Sequence, residues 1–198
     1  MRAHAEPMSD ENDTESLDGK LLIAMPGMGD PRFEKSVVYI CAHSPEGAMG
    51  LIVNKPVMDL NITDLLEQLN IKANRPIKGL EVHFGGPVEH GRGFVLHSRD
   101  YAAASETLEV NDEFGMTASL EILEDISNGD GPANCLFALG YAGWGPGQLE
   151  DELRANGWLV ADANSSLVFA KTDQDKWQDA IKSMGIDPRL LSAEGGNA

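Results

Sequence analysis

The chain reads as a mixed α/β domain of the α+β kind, built on a mixed or antiparallel sheet. Three observations predict this. Short apolar runs rich in β-branched residues, such as Leu21–Met25, Val37–Ile40 and Cys135–Leu139, stop at glycine or proline or at a turn. Segments with helical spacing of apolar residues lie between them. The runs on either side of Ser44-Pro45-Glu46-Gly47 form a hairpin signal over Val37–Val53, which a purely parallel Rossmann sheet would not carry.

The elements follow in order. Met1–Asp18 is polar and acidic with almost no core formers, and reads as a disordered leader. Folding is expected from residue 19 to residue 190 as one domain, with 191–198 a mobile tail; 198 residues suffice for one substantial core. Asn61 is a possible N-cap for a helix carrying Ile62, Leu65, Leu66 and Leu69. Glu81–Phe84 and Gly93–His97 predict a second pair of strands. Thr107–Val110 and Phe114–Thr117 are weaker strand signals. Ser119 is positioned to cap a helix holding Leu120, Leu123 and Ile126, with Glu121 and Glu124 facing water. Pro146 fits the first turn of a further helix, where its missing N–H costs nothing. Trp158–Val160 reads as a strand, and Leu167–Phe169 as a strand or a tight connector. In Asp173–Met184, Trp177, Ile181 and Met184 make a helical stripe that Gly185 would end.

Charge bounds the partners. The formal net charge is −17, and the few basic residues are scattered. Nucleic-acid binding needs a basic footprint and is not expected. The same repulsion disfavours anionic membranes, no apolar segment is long enough to span one, and the N-terminus lacks the parts of a secretion signal. A cytoplasmic location is therefore expected, and a basic protein is the partner class the charge favours. Cys41 and Cys135 fall in predicted strands without a Cys-x-x-Cys pair, and read as buried reduced thiols.

The polar residues offer several candidate chemistries. His83, His90 and His97, with Glu89, could bind a metal or move protons. Their seven-residue spacing does not match a compact motif such as His-Glu-x-x-His, so no metal is assigned. Met25–Asp30 holds Gly27 and Gly29 after a strand but lacks the lysine–hydroxyl pair of a phosphate loop. Tyr141, Trp144, Gln148, Glu150 and Asp151 make the best candidate contact surface, an aromatic ring beside polar groups that can orient a ligand; Lys55 is a possible rim contact. The competing reading has Trp144 covering a bend. In either reading Gly143, Gly145, Pro146 and Gly147 shape the backbone, as do Gly85, Gly86 and Pro87, where glycine gives freedom and proline rigidifies the exit.

Met25-Pro26, Gly50-Leu51-Ile52-Val53-Asn54-Lys55-Pro56, Gly85-Gly86-Pro87 and Gly143-Trp144-Gly145-Pro146-Gly147-Gln148-Leu149 are jointly distinctive. Over Gly19–Leu190 the chain resembles the YqgE/AlgH family of small bacterial proteins. The resemblance implies one α/β unit on a strongly bent mixed sheet, a partly closed barrel with helices outside. It implies no settled activity, no cofactor and no catalytic residues. Some members are labelled transcriptional regulators, but the acidic charge and the lack of a helix-turn-helix count against direct DNA contact here. The expected function is a non-catalytic regulatory or protein-interaction domain of unspecified oligomeric state. The alternative is a small-molecule hydrolase using His83, His90 or His97, and the weaker one a regulator acting directly on DNA.

Overall fold

The computed structural model describes residues 15–75, 77, 79–102 and 106–191. The leader up to residue 14 and the tail from residue 192 lie outside them. Leu17 and Asp18, read as the end of the leader, are tied down: the Leu17 N–H donates to His43 Nδ1 and the His43 N–H to Asp18 Oδ1.

Nine strands among the described residues build one curled sheet, a half-barrel. They are β1 (Lys20–Ala24), β2 (Val37–Ser44), β3 (Gly47–Ile52), β4 (Val82–Phe84), β5 (Val88–Ser98), β6 (Thr107–Glu109), β7 (Phe114–Thr117), β8 (Cys135–Trp144) and β9 (Trp158–Asp162). The order across the sheet is β6-β7-β5-β8-β3-β2-β1-β9. Every pairing is antiparallel except that of β4 with β8. The predicted hairpin is β2–β3, closed at Ser44↔Gly47.

Strand β8 organises the sheet. One edge carries β5; the other is shared by β4, beside Phe137–Leu139, and β3, beside Ala142–Trp144. The predicted strand over Cys135–Leu139 therefore does not stop at the glycine phrase but runs on to Trp144. Gly140 takes φ +72° inside the strand, so the chain bends at the β4/β3 seam without leaving the sheet. Register shifts in β2 between Ile40 and Ala42, and in β5 between Val88 and Gly93, add to the curl.

Among the described residues four α-helices cover the two faces: α1 (Ile62–Gln68), α2 (Glu121–Asn128), α3 (Gln148–Arg154) and α4 (Asp173–Ser183). Alternation along β1 shows the division. Leu21 and Ile23 join Tyr39, Leu51, Leu96 and Phe114 under α4, whose Trp177, Ala180 and Ile181 complete that layer. Leu22 and Ala24 face the other way with Val38, Ile52, Trp144 and Trp158, beneath Leu149 of α3. Helices α1 and α2 cover Val82, Val95 and Phe137 on that second face.

Local signals decide most element ends. Asn61 caps α1 by accepting the Asp64 N–H at 2.9 Å. Gly185, φ +77°, follows α4 and its N–H reaches the Lys182 carbonyl. Three expectations are corrected. Ser119 does not cap α2; the cap position is Leu120, and the buried Ser119 hydroxyl has no partner among the described residues. Pro146 precedes α3 rather than entering it, because Gly147 takes the cap position at φ +73°. Leu167–Phe169 lies in a π-helical turn, Ser166–Ala170, which turns Leu167 and Val168 into the core.

Candidate functional site

A cleft of about 880 Å3 opens where α3 meets β8 and β9. Its apolar floor includes Met25, Met28, Phe33, Trp144 and Trp158. The two indoles meet edge to face at 6.1 Å, and Phe33 meets Trp158 in the same way at 5.8 Å. Glu152, one turn beyond Gln148 on α3, binds both indoles: Trp144 Nε1 and Trp158 Nε1 each donate to Oε2 at 2.8 Å. Gln148 Nε2 donates to the other oxygen at 3.2 Å, while Gln148 Oε1 accepts the Gly145 N–H at 3.0 Å. Asp30 and Arg32 pair at 2.8 Å on the rim, and Arg32 holds the Asp30 carboxyl below the usual carboxylate range.

Trp144 is thus buried, 7 % exposed, and offers no open ring face; it is one wall of a bonded aromatic corner. Of the other contact candidates only Gln148 shares this cleft. Tyr141 lines a separate open groove of about 730 Å3 with Met49, Arg92, Phe94 and Glu89. Glu150 accepts from His43 Nε2 at 2.6 Å, which holds its carboxyl below the usual range. Asp151 makes an exposed pair with Arg154. Lys55 donates to the Glu34 carbonyl.

The predicted structural glycines divide by cause. A Cβ on Gly86 would stand 2.0 Å from the Tyr141 carbonyl carbon, and one on Gly85 2.2 Å from the Gly140 oxygen. Gly147 has open space but a left-handed backbone. Gly145 has open space too, with only Gln148 Oε1 at 4.0 Å.

The three histidines have separate partners. His90 is exposed and bonds the Pro87 carbonyl. His97 is fully buried between the Ser98 carbonyl and Thr117 Oγ1, each at 2.8 Å, and burial pushes its pKa down, partly offset by the Ser98 hydrogen bond. His83 lies on β4, across β8 from β5, with Nε2 2.8 Å from Asp173 Oδ2 and Nδ1 3.3 Å from the Phe137 carbonyl. Glu89 pairs with Arg92 at 3.6 Å and meets none of them. Burial raises both thiols, Cys41 to about 12 and Cys135 to about 11, so neither is an ionised nucleophile near neutral pH.

Beside His83 sits a charged pair that the sequence reading missed. Lys176, 3 % exposed, donates to the Val53 carbonyl at 2.7 Å and to Asp173 Oδ1 at 3.0 Å. Burial pushes the lysine down, countered by Asp173. Burial would raise Asp173, but the His83 bond and the nearby positive charge outweigh it and keep the carboxyl below its usual range. Ligand atoms of Glu81, His83 and Asp173 all lie within 4.8 Å of one another, close enough for a metal ion to bridge them. The only sequence hint was the i,i+3 spacing of Asp173 and Lys176 on one helix. Glu152 was equally obscure, one acid in the run Glu150-Asp151-Glu152.

Known proteins place the chain. A family model described as AlgH-like matches residues 21–189. UPF0301 proteins of Cereibacter sphaeroides and Ruegeria pomeroyi are 57% and 58% identical, each alignment covering 92% of this chain and 99% of the relative. The solution structure of the AlgH protein from Pseudomonas aeruginosa matches with a TM-score of 0.75 at 38% identity over 100% of both chains. A Corynebacterium diphtheriae crystal structure, covering 96% of this chain and 92% of its own, shares the fold at a TM-score of 0.70 and 21% identity. With a family model matched over most of its length, close relatives of matching length and the same half-barrel, the chain belongs to the AlgH-like family, a family of uncharacterised bacterial proteins.

Proposed function

We propose that this chain is a non-catalytic recognition protein that captures an extended, basic and apolar segment of a partner protein by adding it as a strand to β9. The supporting observation is that this cleft borders a sheet edge: among the described residues, strand β9 pairs with β1 alone. The Met25 N–H donates to the Gly157 carbonyl, and the pairing runs Ile23↔Leu159 and Leu21↔Ala161. By antiparallel alternation, the N–H and C=O groups of Trp158, Val160 and Asp162 point away from β1. No backbone partner meets them among the described residues.

Main-chain hydrogen bonds along such an edge supply affinity, and side-chain pockets beside it supply selection. The cleft floor of Met28, Phe33 and Trp158 suits an apolar side chain. The net charge of −17 attracts a basic segment and speeds its encounter. Of the two carboxylates that line the cleft, Glu152 already accepts three hydrogen bonds and Asp30 is paired with Arg32, which suits a rigid recognition wall better than a proton-transfer group.

The test is a displayed library of extended peptides panned against the full chain and against Val160→Pro. Proline removes the outward N–H, and an edge strand tolerates it. Selected peptides should alternate apolar residues with Lys or Arg, and should bind V160P at least tenfold more weakly at an unchanged melting temperature. Enrichment of no such class, or equal binding to V160P, rejects the reading.

A further inference from the structure

The second charged centre lies away from that cleft, at the junction of β4 with the first turn of α4. Its geometry contains an unresolved contact. With a proton on Nδ1, His83 donates to the Phe137 carbonyl at 3.3 Å. Nε2 then directs its remaining site at Asp173 Oδ2, an acceptor, 2.8 Å away. In that tautomer two lone pairs face each other, and a metal ion held between them removes the repulsion.

We propose that Glu81, His83 and Asp173 bind one divalent first-row transition-metal cation, for which Zn2+ is the reference probe. Three observations select the metal. Glu81 supplies a third ligand atom within 4.8 Å of the other two, a group that a simple imidazolium–carboxylate pair does not need. The His83 Nδ1 contact with a main-chain carbonyl is the outer bond that orients a metal-bound imidazole and fixes its tautomer. Lys176 grips Oδ1 of Asp173 from a buried position anchored on the Val53 carbonyl, leaving Oδ2 turned toward His83.

Charge and space agree with this choice. Two carboxylates against one ammonium, with a neutral imidazole, leave one net negative charge for the cation to meet. Around a metal with bonds of about 2.1 Å, neighbouring ligand atoms stand roughly 3.0–3.4 Å apart, so closing the site needs only small side-chain rotations. A cavity of about 260 Å3 borders Glu81, His83, Asp173 and Lys176, giving room for water ligands and a route of entry. The bound ion would tie α4 to β4, elements 90 residues apart in sequence at His83 and Asp173.

The experiment is a calorimetric Zn2+ titration of the full chain, freed of metal beforehand, with imidazole 15N spectra recorded at each step. Wild type should take up one ion per chain, and the His83 Nε2 resonance should move to a metal-bound position while Nδ1 keeps its proton. Glu81 is exposed, so Glu81→Gln preserves the fold and should weaken binding by at least about tenfold; His83→Gln should abolish it. Absence of stoichiometric uptake overturns the proposal. So does equal affinity in E81Q, or an Nε2 proton that persists at saturating Zn2+, which would identify the bridge as an imidazolium.

Discussion

Replacing Glu152 by alanine tests whether the aromatic corner is held by its carboxylate or only by packing. The side chain accepts from Trp144 Nε1 and Trp158 Nε1 at 2.8 Å each, and from Gln148 Nε2 at 3.2 Å. Hydrogen bonds to an ionised group are worth about 1.5–3 kcal/mol each when dry. Glu152 is half-buried at the cleft wall, so water can reach part of the space it vacates and the lower end applies. Losing both indole acceptors should cost about 2–3 kcal/mol in total, with the exposed Gln148 contact adding little. In a chain of this size that is roughly 4–12 °C of melting temperature. Glu152→Gln keeps an oxygen for the indoles and should cost about 1 kcal/mol. Urea unfolding followed by tryptophan emission measures both. An E152A variant within about 0.5 kcal/mol of wild type would refute the argument, as would an E152Q variant equally unstable.

Two further predictions are independent of any partner. Gly86→Ala should cost about 3 kcal/mol or more, because its Cβ would stand 2.0 Å from the β8 backbone, whereas Gly145→Ala in open space should stay within about 0.5 kcal/mol; thermal melts of the two separate close approach from mere glycine content. His97 should make stability fall in mild acid. Its folded pKa lies below the ordinary value of 6.5, so the unfolded chain takes up the proton first. The stabilisation is complete above about pH 6.5 and is lost as pH drops toward the folded pKa. The slope of urea midpoint against pH between about 7 and 5 should flatten in His97→Gln; an unchanged slope would exclude His97 as its source.

The local architecture was legible because local rules set it. Apolar runs and turn residues located the β2–β3 hairpin, Asn61 announced α1, Gly185 ended α4, and the joint motifs identified the family. The centres of chemistry were not legible in the same way. Trp144 was open to two readings, a contact surface or the cover of a bend; that its indole meets Trp158 and bonds Glu152 depends on how α3 returns against β8 and β9. The even spacing of the three histidines matched no compact motif and left their partners open. The parallel pairing of β4 with β8 delivered His83 alone to Asp173, while β5 buried His97 against Thr117. Periodicity and turn chemistry are properties of neighbours along the chain, so sequence determined them. Which acid meets which imidazole is set by sheet register and helix docking across about a hundred residues, and only the tertiary structure decided that.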